Sequence, residues 1–153
     1  MTGAYEADMD LLAAARDAAA HAYAPYSRFA VGAALRMVDG SIIAAANVEN
    51  ASYGLTLCAE TVAIAIAANR GALAEVVAVA VIGGARGTDG SISGDALLTP
   101  CGRCRQMLNE SAALGGRDLP VTCASWDASK VAVVALSTLL PHAFGPDNLG
   151  KQA

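Results

Sequence analysis

The chain opens with a segment whose apolar residues recur at helical spacing. Within residues 8–23, the positions that fall near one helix face are Leu11, Leu12, Ala15 and Ala19. Asp8 precedes them and can cap the helix by accepting a hydrogen bond from a free N–H. Two further helices are predicted over residues 58–69 and 101–114, and glycine follows the end of each.

Between these helices the apolar pattern changes to that of β-strands. Residues 29–38 and 41–48 predict a hairpin, because Asp39-Gly40 separates two runs rich in apolar residues. Three more strands are predicted at residues 76–82, 120–124 and 131–135. The first of the three is almost uniformly apolar, which is typical of a strand covered on both faces.

Two segments lack a regular pattern. Residues 85–96 are rich in Gly, Ser and Asp and predict a mobile surface loop, and residues 139–146 contain too much Pro and Gly for regular structure. The alternation of helices and strands elsewhere indicates an α/β sandwich around one sheet. We expect one domain over residues 1–153.

The composition favours a globular protein that acts on a small molecule. Of the 153 residues, 55% are hydrophobic and 16% are charged, and the formal net charge is -4. Lys130 and Lys151 are the only lysines, and the arginines are scattered. Proteins that hold nucleic acid normally carry a cationic track, so we expect no nucleic-acid partner.

The sequence also predicts a cytoplasmic protein without a membrane partner. The first eight residues are acidic and lack the basic and apolar regions of a signal peptide. The most apolar stretch, residues 72–82, contains Glu75 and is shorter than the ~20 residues that a membrane span requires. Cytoplasmic cysteines remain reduced thiols, which favours metal binding over disulfides.

Three cysteines carry the sharpest chemical signal. Cys58 lies at the start of the second predicted helix, and Cys101 and Cys104 lie within the first turn of the third. A helix N-terminus lowers the pKa of a thiol, and the two-residue gap places Cys101 and Cys104 on one side of a turn. Three thiolates leave a fourth position open on zinc, as in catalytic sites that bind water.

Glu60 follows the first of these cysteines by two residues. A carboxylate beside an activated water can accept its proton and pass it on. Zinc held by three thiolates has one surplus negative charge and is a weaker Lewis acid than zinc held by histidines. Its bound water therefore needs a nearby base, such as Glu60, to ionise. The structural alternative for Glu60 is a first-turn glutamate that stabilises the helix dipole.

Other interpretations of the polar residues remain open at this point. The Cys-x-x-Cys pair alone fits a redox motif, or half of a structural zinc site with Cys123 as fourth ligand, although Cys123 lies in a strand pattern. His21 and His142 are weaker ligand candidates. Asn47 and Glu49 are either polar residues at a strand end or, two positions apart on one face, a pair that binds neighbouring hydroxyl groups.

Taken together, the motifs resemble those of the cytidine deaminases, in order and spacing, from about residue 23 to residue 149. The matching segments are 27–35 (SRFAVGAAL), 47–56 (NVENASYGLT), 58–60 (CAE), 100–106 (PCGRCRQ) and 139–146 (LLPHAFGP). The resemblance implies a three-layer αβα sandwich around a mixed five-stranded sheet. It also implies zinc-dependent deamination of free cytidine and 2′-deoxycytidine in pyrimidine salvage.

The resemblance assigns a role to each matched residue. One zinc ion per subunit is bound by Cys58, Cys101 and Cys104, with water as fourth ligand. Glu60 carries the proton from that water to N3 of cytosine and then to the departing ammonia. The remaining implied contacts are Asn47 and Glu49 at the ribose 3′-hydroxyl and Phe29 against the pyrimidine ring.

The resemblance further implies a homotetramer with shared active sites. A cysteine rather than a histidine at position 58, in one short domain, is typical of the tetrameric branch of the family. In that branch Ala51 and Tyr53 come from one neighbouring subunit, near the 5′-hydroxyl. Phe144 comes from another neighbour and contacts the base.

One position departs from the family pattern. Many relatives with three cysteine ligands carry Arg directly after the catalytic Glu, where it offsets thiolate charge, but this chain has Thr61. We hypothesise that Arg103, inside the Cys-x-x-Cys loop, takes over part of that role.

Three other functions compete with this interpretation. A blasticidin S-type deaminase shares the zinc motifs, but the intact segment from Asn47 to Asn50 and Phe144 favour the ordinary nucleoside. A polynucleotide deaminase is disfavoured by the acidic charge and the lack of basic, aromatic-rich insertions. In a non-catalytic structural zinc protein, the metal merely joins two helices.

Overall fold

One mixed β-sheet organises the computed structural model, which describes residues 5–150. Its strands are β1 (Phe29–Met37), β2 (Ile42–Ala46), β3 (Val76–Arg86), β4 (Ile92–Ser93), β5 (Pro120–Ser125) and β6 (Val131–Ala135). The order is β2-β1-β3-β5-β6, with β4 paired to the end of β3. Only β3 and β5 run parallel among these pairs. The predicted mixed sheet is confirmed, and β4 adds a short sixth strand.

Helices cover both faces of this sheet. They are α1 (Met9–Ala19), α2 (Ala59–Asn69), α3 (Gly102–Leu114) and the short α4 (Leu136–Leu139). Helix α1 packs its apolar face on one side, against residues that include Ala34 and Ile82. Residues of α2 and α3 pack on the other side, against residues that include Leu35 and Val121. The predicted three-layer αβα sandwich is therefore confirmed.

A glycine lets α1 lie directly on the sheet. A Cβ atom at Gly32 of β1 would lie 1.8 Å from the carbonyl oxygen of Ala15, so any larger residue would force the helix away. Asp8 caps α1 as predicted, since its Oδ1 accepts a hydrogen bond of 2.9 Å from the N–H of Leu11. The same carboxylate forms an ion pair with Arg36 of β1, which ties the helix start to the sheet.

The predicted first helix was too long. Instead of continuing to Tyr23, α1 ends at Ala19 and the chain turns. Tyr23 then pairs with the segment after β2, donating to the carbonyl of Asn47 and accepting from the N–H of Glu49. Backbone pairing to this distant segment outweighs the local helical pattern.

One of the two segments predicted as irregular contains regular structure. Strand β3 continues to Arg86 and pairs with β4 through Ala85 and Arg86, where a loop was predicted over residues 85–96. Gly, Ser and Asp have low strand propensity, but Gly84 lets the β4 backbone approach, since a Cβ there would lie 2.5 Å from the Ser93 carbonyl oxygen. The tail, predicted irregular over residues 139–146, has no helix or strand over residues 140–145; α4 ends at Leu139 and a short 3₁₀ helix begins at Pro146.

The ends of the predicted domain, residues 1–4 and 151–153, lie outside the described residues, and so does Lys151. Between residues 5 and 150, no helix combines the length and the apolar character needed to cross a membrane. The fold places the first turns of α2 and α3 next to each other on one face of the sheet, and the cysteines lie there.

Candidate metal centre and adjoining cavities

The three predicted cysteine ligands converge on one point. Cys58 and Cys101 are the N-cap residues of α2 and α3, and Cys104 lies in the first turn of α3. The Cys58 and Cys101 Sγ atoms are 3.8 Å apart, and those of Cys101 and Cys104 are 3.5 Å apart. Two sulfurs bound to zinc at about 2.3 Å in a tetrahedron lie ~3.8 Å from each other. The spacing therefore fits zinc, whereas a disulfide needs about 2.05 Å.

Three thiolates this close together would be stabilised by a bound cation. Burial raises the pKa of the Cys58 thiol and that of the Cys104 thiol, whereas at Cys101 hydrogen bonds with Cys104 and Cys58 outweigh burial and lower the pKa of the thiol. Three thiols this close would also repel each other if all ionised in the absence of a positive charge. A coordinated divalent ion removes both penalties and deprotonates its thiol ligands outright.

Cys123 does not join this cluster. It is fully buried in β5, where its Sγ lies 3.9 Å from the Val121 carbonyl oxygen. Burial raises the pKa of the Cys123 thiol to about 11, so it remains protonated in the core. Among residues 5–150, the metal-ligand cluster consists of the other three cysteines.

Glu60 faces the same cavity as two of the sulfur ligands. Its side chain is only 4% exposed, in the first turn of α2. A cavity of about 160 Å³ is lined by Glu60, Cys58, Cys101 and Asn47, among others. Burial raises the pKa of the Glu60 carboxyl. The carboxylate is thus screened from bulk water and lines the same cavity as Cys58 and Cys101.

Thr61 and Arg103 contact different parts of this centre. The Thr61 hydroxyl lies 3.6 Å from the Cys104 Sγ and 3.4 Å from the Met107 Sδ. Arg103 donates from Nη1 to the carbonyl oxygen of Thr56 at 3.3 Å. Thr61, not Arg103, thus lies within hydrogen-bond distance of a cysteine of the cluster, a contact that the sequence did not indicate.

A second cavity adjoins the first. It has a volume of about 340 Å³ and is lined by Tyr26, Ser27, Glu49, Tyr53 and Thr56. Thr56 lines both cavities, so the cavity with the cysteines and the cavity with Glu49 are neighbours. The rings of Tyr26 and Tyr53 lie 5.8 Å apart, within the range of an aromatic pair.

Glu49 is oriented by the backbone before β1. Its Oε2 accepts hydrogen bonds from the N–H groups of Tyr26 and Ser27, at 2.9 and 3.2 Å. Although burial acts in the opposite direction, hydrogen bonds from Ser27 and the Tyr26 N–H lower the pKa of the Glu49 carboxyl. The group is therefore ionised at neutral pH, and Oε1, which has no hydrogen-bond partner among the described residues, can accept one from a ligand hydroxyl.

Asn47 has a structural role in addition to its place in the cavity wall. Its Oδ1 accepts a hydrogen bond of 2.9 Å from the N–H of Val31, and its Nδ2 donates to the Phe29 carbonyl at 3.0 Å. These bonds use one of the two Nδ2 hydrogens. The second hydrogen is available to a ligand.

Three predicted contact residues line neither cavity in this chain. Ala51 and Phe29 are exposed, and Phe29 holds Asn47 through its backbone carbonyl. The Phe144 side chain is 58% exposed, and its carbonyl accepts hydrogen bonds from Gln106 and Asn109 of α3. The contacts predicted for these side chains remain predictions, as does the placement of Tyr53 in a neighbour's site.

The sequence missed several residues of the cavity wall. Those lining the smaller cavity are Val31, Thr56, Leu57, Leu98 and Thr99. Val31 could have been found, because it lies two positions after Phe29 on the same face of a predicted strand. Leu98 has no local signal, because it follows a segment with a loop-like composition, residues 85–96, and belongs to no apolar repeat.

Comparison with known proteins agrees with this geometry. Residues 5–114 match the model of the cytidine and deoxycytidylate deaminase zinc-binding region. The chain is 44% identical over 138 residues to the cytidine deaminase of Mycobacterium tuberculosis, covering 90% of each protein. It is 42% identical over 128 residues to that of Halalkalibacterium halodurans, covering 84% of this chain and 86% of the relative. The crystal structure of cytidine deaminase from Burkholderia pseudomallei superposes with a TM-score of 0.75 at 40% identity, covering 91% of this chain and all of that one.

Proposed function

The chain belongs to the zinc-binding cytidine deaminase family, and we propose that it converts free cytidine and 2′-deoxycytidine to the corresponding uridines and ammonia. One observation carries the proposal. A buried carboxylate, Glu60, shares a cavity with Cys58 and Cys101 of a three-sulfur cluster, and that cavity adjoins a second one containing Glu49. We further propose that the reaction serves pyrimidine salvage in the cytoplasm, where the thiols remain reduced.

The three cysteine sulfurs would hold the zinc ion. When bound, zinc supplies a Lewis acid that lowers the pKa of a water molecule and positions it for attack on the ring. The surplus negative charge of three thiolates weakens this effect, so the rest of the proton transfer depends on the protein.

Glu60 is the residue that we propose to move the proton. Its carboxylate takes a proton from the attacking water and gives it to N3 of the pyrimidine as C4 is attacked. It then delivers the second proton of the water to the departing amino group. One water is consumed, the C4–N bond breaks, and ammonia and uridine are released.

Glu49 and Asn47 would recognise the sugar. Glu49 Oε1 can accept a hydrogen bond from the ribose 3′-hydroxyl, and the second Nδ2 hydrogen of Asn47 can be donated to the same oxygen. Among residues 5–150, those lining the Glu49 cavity include this carboxylate and no lysine or arginine. Because a phosphate would be repelled by Glu49 and find no cation among these lining residues, the cavity favours nucleosides over nucleotides.

We also propose a homotetramer in which neighbouring chains complete each site, with Phe29 of the chain itself packing on the base. Exposed apolar and aromatic side chains support this proposal: Tyr53 is 74% exposed, Leu55 65% and Phe144 58%. Isolated exposure of such residues is normal, but Tyr53 lines the Glu49 cavity and Leu55 lies two residues further along the chain, so a partner that buries both would also cover this cavity. Light scattering tests the assembly, since a mass near four times 15.3 kDa is expected and a monomer would contradict it.

An ultraviolet assay tests the reaction itself. The zinc-loaded protein should convert cytidine and 2′-deoxycytidine, and should convert cytidine 5′-monophosphate and blasticidin S much more slowly. Preference for the monophosphate would contradict the proposed selectivity for nucleosides over nucleotides. Failure to convert any of the four by folded, zinc-loaded protein would contradict the proposed function.

We expect Thr61→Val to weaken zinc binding about tenfold. The change keeps the side-chain shape but removes the hydroxyl that lies 3.6 Å from the Cys104 Sγ. Hydrogen bonds to metal ligands typically change metal affinity by about 10–100-fold, and a sulfur acceptor places this one at the lower end. Competition with a chromophoric chelator measures the affinity, and Thr61→Ser, which keeps the hydroxyl, should stay near wild type. Equal affinity in all three proteins would exclude a role for the hydroxyl.

Arg103→Gln tests the second source of charge compensation. The Arg103 guanidinium is exposed and bonded to the Thr56 carbonyl, so it acts on the thiolates through space and is screened by solvent. We expect an effect on zinc affinity smaller than that of Thr61→Val, accompanied by reduced turnover. If zinc retention and turnover both remain near wild type, the hypothesis for Arg103 is wrong.

A further inference from the structure

The cavity beside the cysteine cluster has an apolar wall built from two distant segments. Val31 comes from β1, and Leu98 comes from the segment that leads into α3. Both side chains are partly buried and pack against the main hydrophobic core. They line the same cavity as Glu60 and Cys58, so they face the space that the reacting ring would occupy.

Gly83 of β3 fixes the position of this wall. A Cβ atom at Gly83 would lie 2.8 Å from Leu98 Cδ2 and 3.1 Å from Val31 Cγ2. Both side chains therefore pack directly against the backbone of the sheet. Because Gly83 has no side chain, they lie closer to β3 than any other residue at position 83 would allow. Neither side chain can retreat further, because the β3 backbone lies behind them.

The chemistry of a cytosine ring determines which edge can face this wall. N3, the 4-amino group and O2 are polar and need hydrogen-bond or metal partners, since burying them unpaired is costly. The C5–C6 edge carries only C–H groups and can be buried against hydrocarbon without such a cost. If C4 and N3 of the ring face Glu60 and the sulfur cluster, the C5–C6 edge faces Val31 and Leu98.

We propose that Val31 and Leu98, seated on Gly83, face C5 of the pyrimidine and set the largest substituent that the enzyme accepts there. The inference rests on the proposed function, because it assumes cytidine as the substrate. An added or missing methylene in an apolar pocket changes kcat/KM by about 10–200-fold. The wall would thus discriminate among cytidines that differ only at C5.

The test compares kcat/KM for cytidine, 5-methylcytidine and 5-ethylcytidine. In the wild type we expect kcat/KM to fall with each added carbon. Leu98→Ala should raise the ratio of 5-ethylcytidine to cytidine at least tenfold, because it removes three carbon atoms from the wall. The electronic effect of the alkyl group is the same for every variant, so it cancels when these ratios are compared.

Two further variants make the result decisive. Leu97→Ala changes an exposed neighbour that does not line the cavity, and its ratio should stay at the wild-type value. Val31→Ala provides the second test of the wall, should Leu98→Ala fail to fold or to retain zinc. Ratios within twofold of wild type in every folded wall variant would overturn the proposal, as would an equal rise in Leu97→Ala. Loss of cytidine turnover in the wild type would instead contradict the proposed function.

Discussion

Glu60→Gln is expected to lower cytidine turnover by about 10²–10⁴-fold while the protein keeps its zinc and its fold. Gln has the shape of the glutamate side chain but cannot accept a proton from water or return one to the leaving amine. The cysteine sulfurs are unchanged, and Gln at the buried position introduces no charge to desolvate. Steady-state kinetics by ultraviolet absorbance gives the turnover, and mass spectrometry on the same samples gives the zinc content per chain.

The matched control is Glu110→Gln. Glu110 also lies on a helix, α3, but is exposed and lies outside the two cavities. Its replacement should leave turnover unchanged. Retained activity in Glu60→Gln would show that Glu60 does not transfer the proton. A zinc-loaded wild type without activity would favour a purely structural metal site.

The cysteine cluster was predictable because its signal is local. Cys58 and Cys101 stand at the starts of helices marked by apolar periodicity, and Cys104 follows one turn later. Helix geometry alone places Cys101 and Cys104 together, and their 3.5 Å separation confirms this. Bringing Cys58 to them required the tertiary packing of α2 against α3, which only the combined motifs suggested.

The walls of the cavities were not predictable in the same way. Leu98 reaches the site because Gly83 leaves room for its side chain on β3, a contact between residues without any shared sequence pattern. The pairing of β4 with the end of β3 likewise depends on backbone hydrogen bonds in a segment of low strand propensity. Such features are set by long-range packing, whereas periodicity and capping are properties of a single element.

The same distinction applies to the polar residues of the site. The two-residue spacing of Asn47 and Glu49 indicated a shared face, but it could not show that each side chain is already engaged by β1 and the residues before it. Asn47 holds Phe29 and Val31 in place, so its replacement would disturb the wall as well as any sugar contact. Asn47 variants therefore mix structural and binding effects, which makes Glu60 and the cysteines better tests of the mechanism.

Cys104→Ser is expected to abolish zinc binding at micromolar metal and to reduce turnover below detection. A serine hydroxyl is not a thiolate at neutral pH and is a poor ligand for zinc. Cys104 is fully buried between α2 and α3, so loss of the metal also removes the bond between the two helices. We therefore expect a lower Tm, and the same loss of activity when a strong chelator strips the wild type.

Cys123→Ala is the control that makes this result specific. Cys123 is equally buried but bonds only to the backbone of its own strand among the described residues. Its replacement should lower stability through lost packing while one zinc per chain and full turnover are retained. Zinc retained by Cys104→Ser, or lost from Cys123→Ala, would contradict the assignment of Cys58, Cys101 and Cys104 as the zinc ligands. Because the two cysteines match in type and burial, loss of zinc from Cys104→Ser but not from Cys123→Ala identifies Cys104 as a metal ligand and excludes a general effect of removing a core thiol.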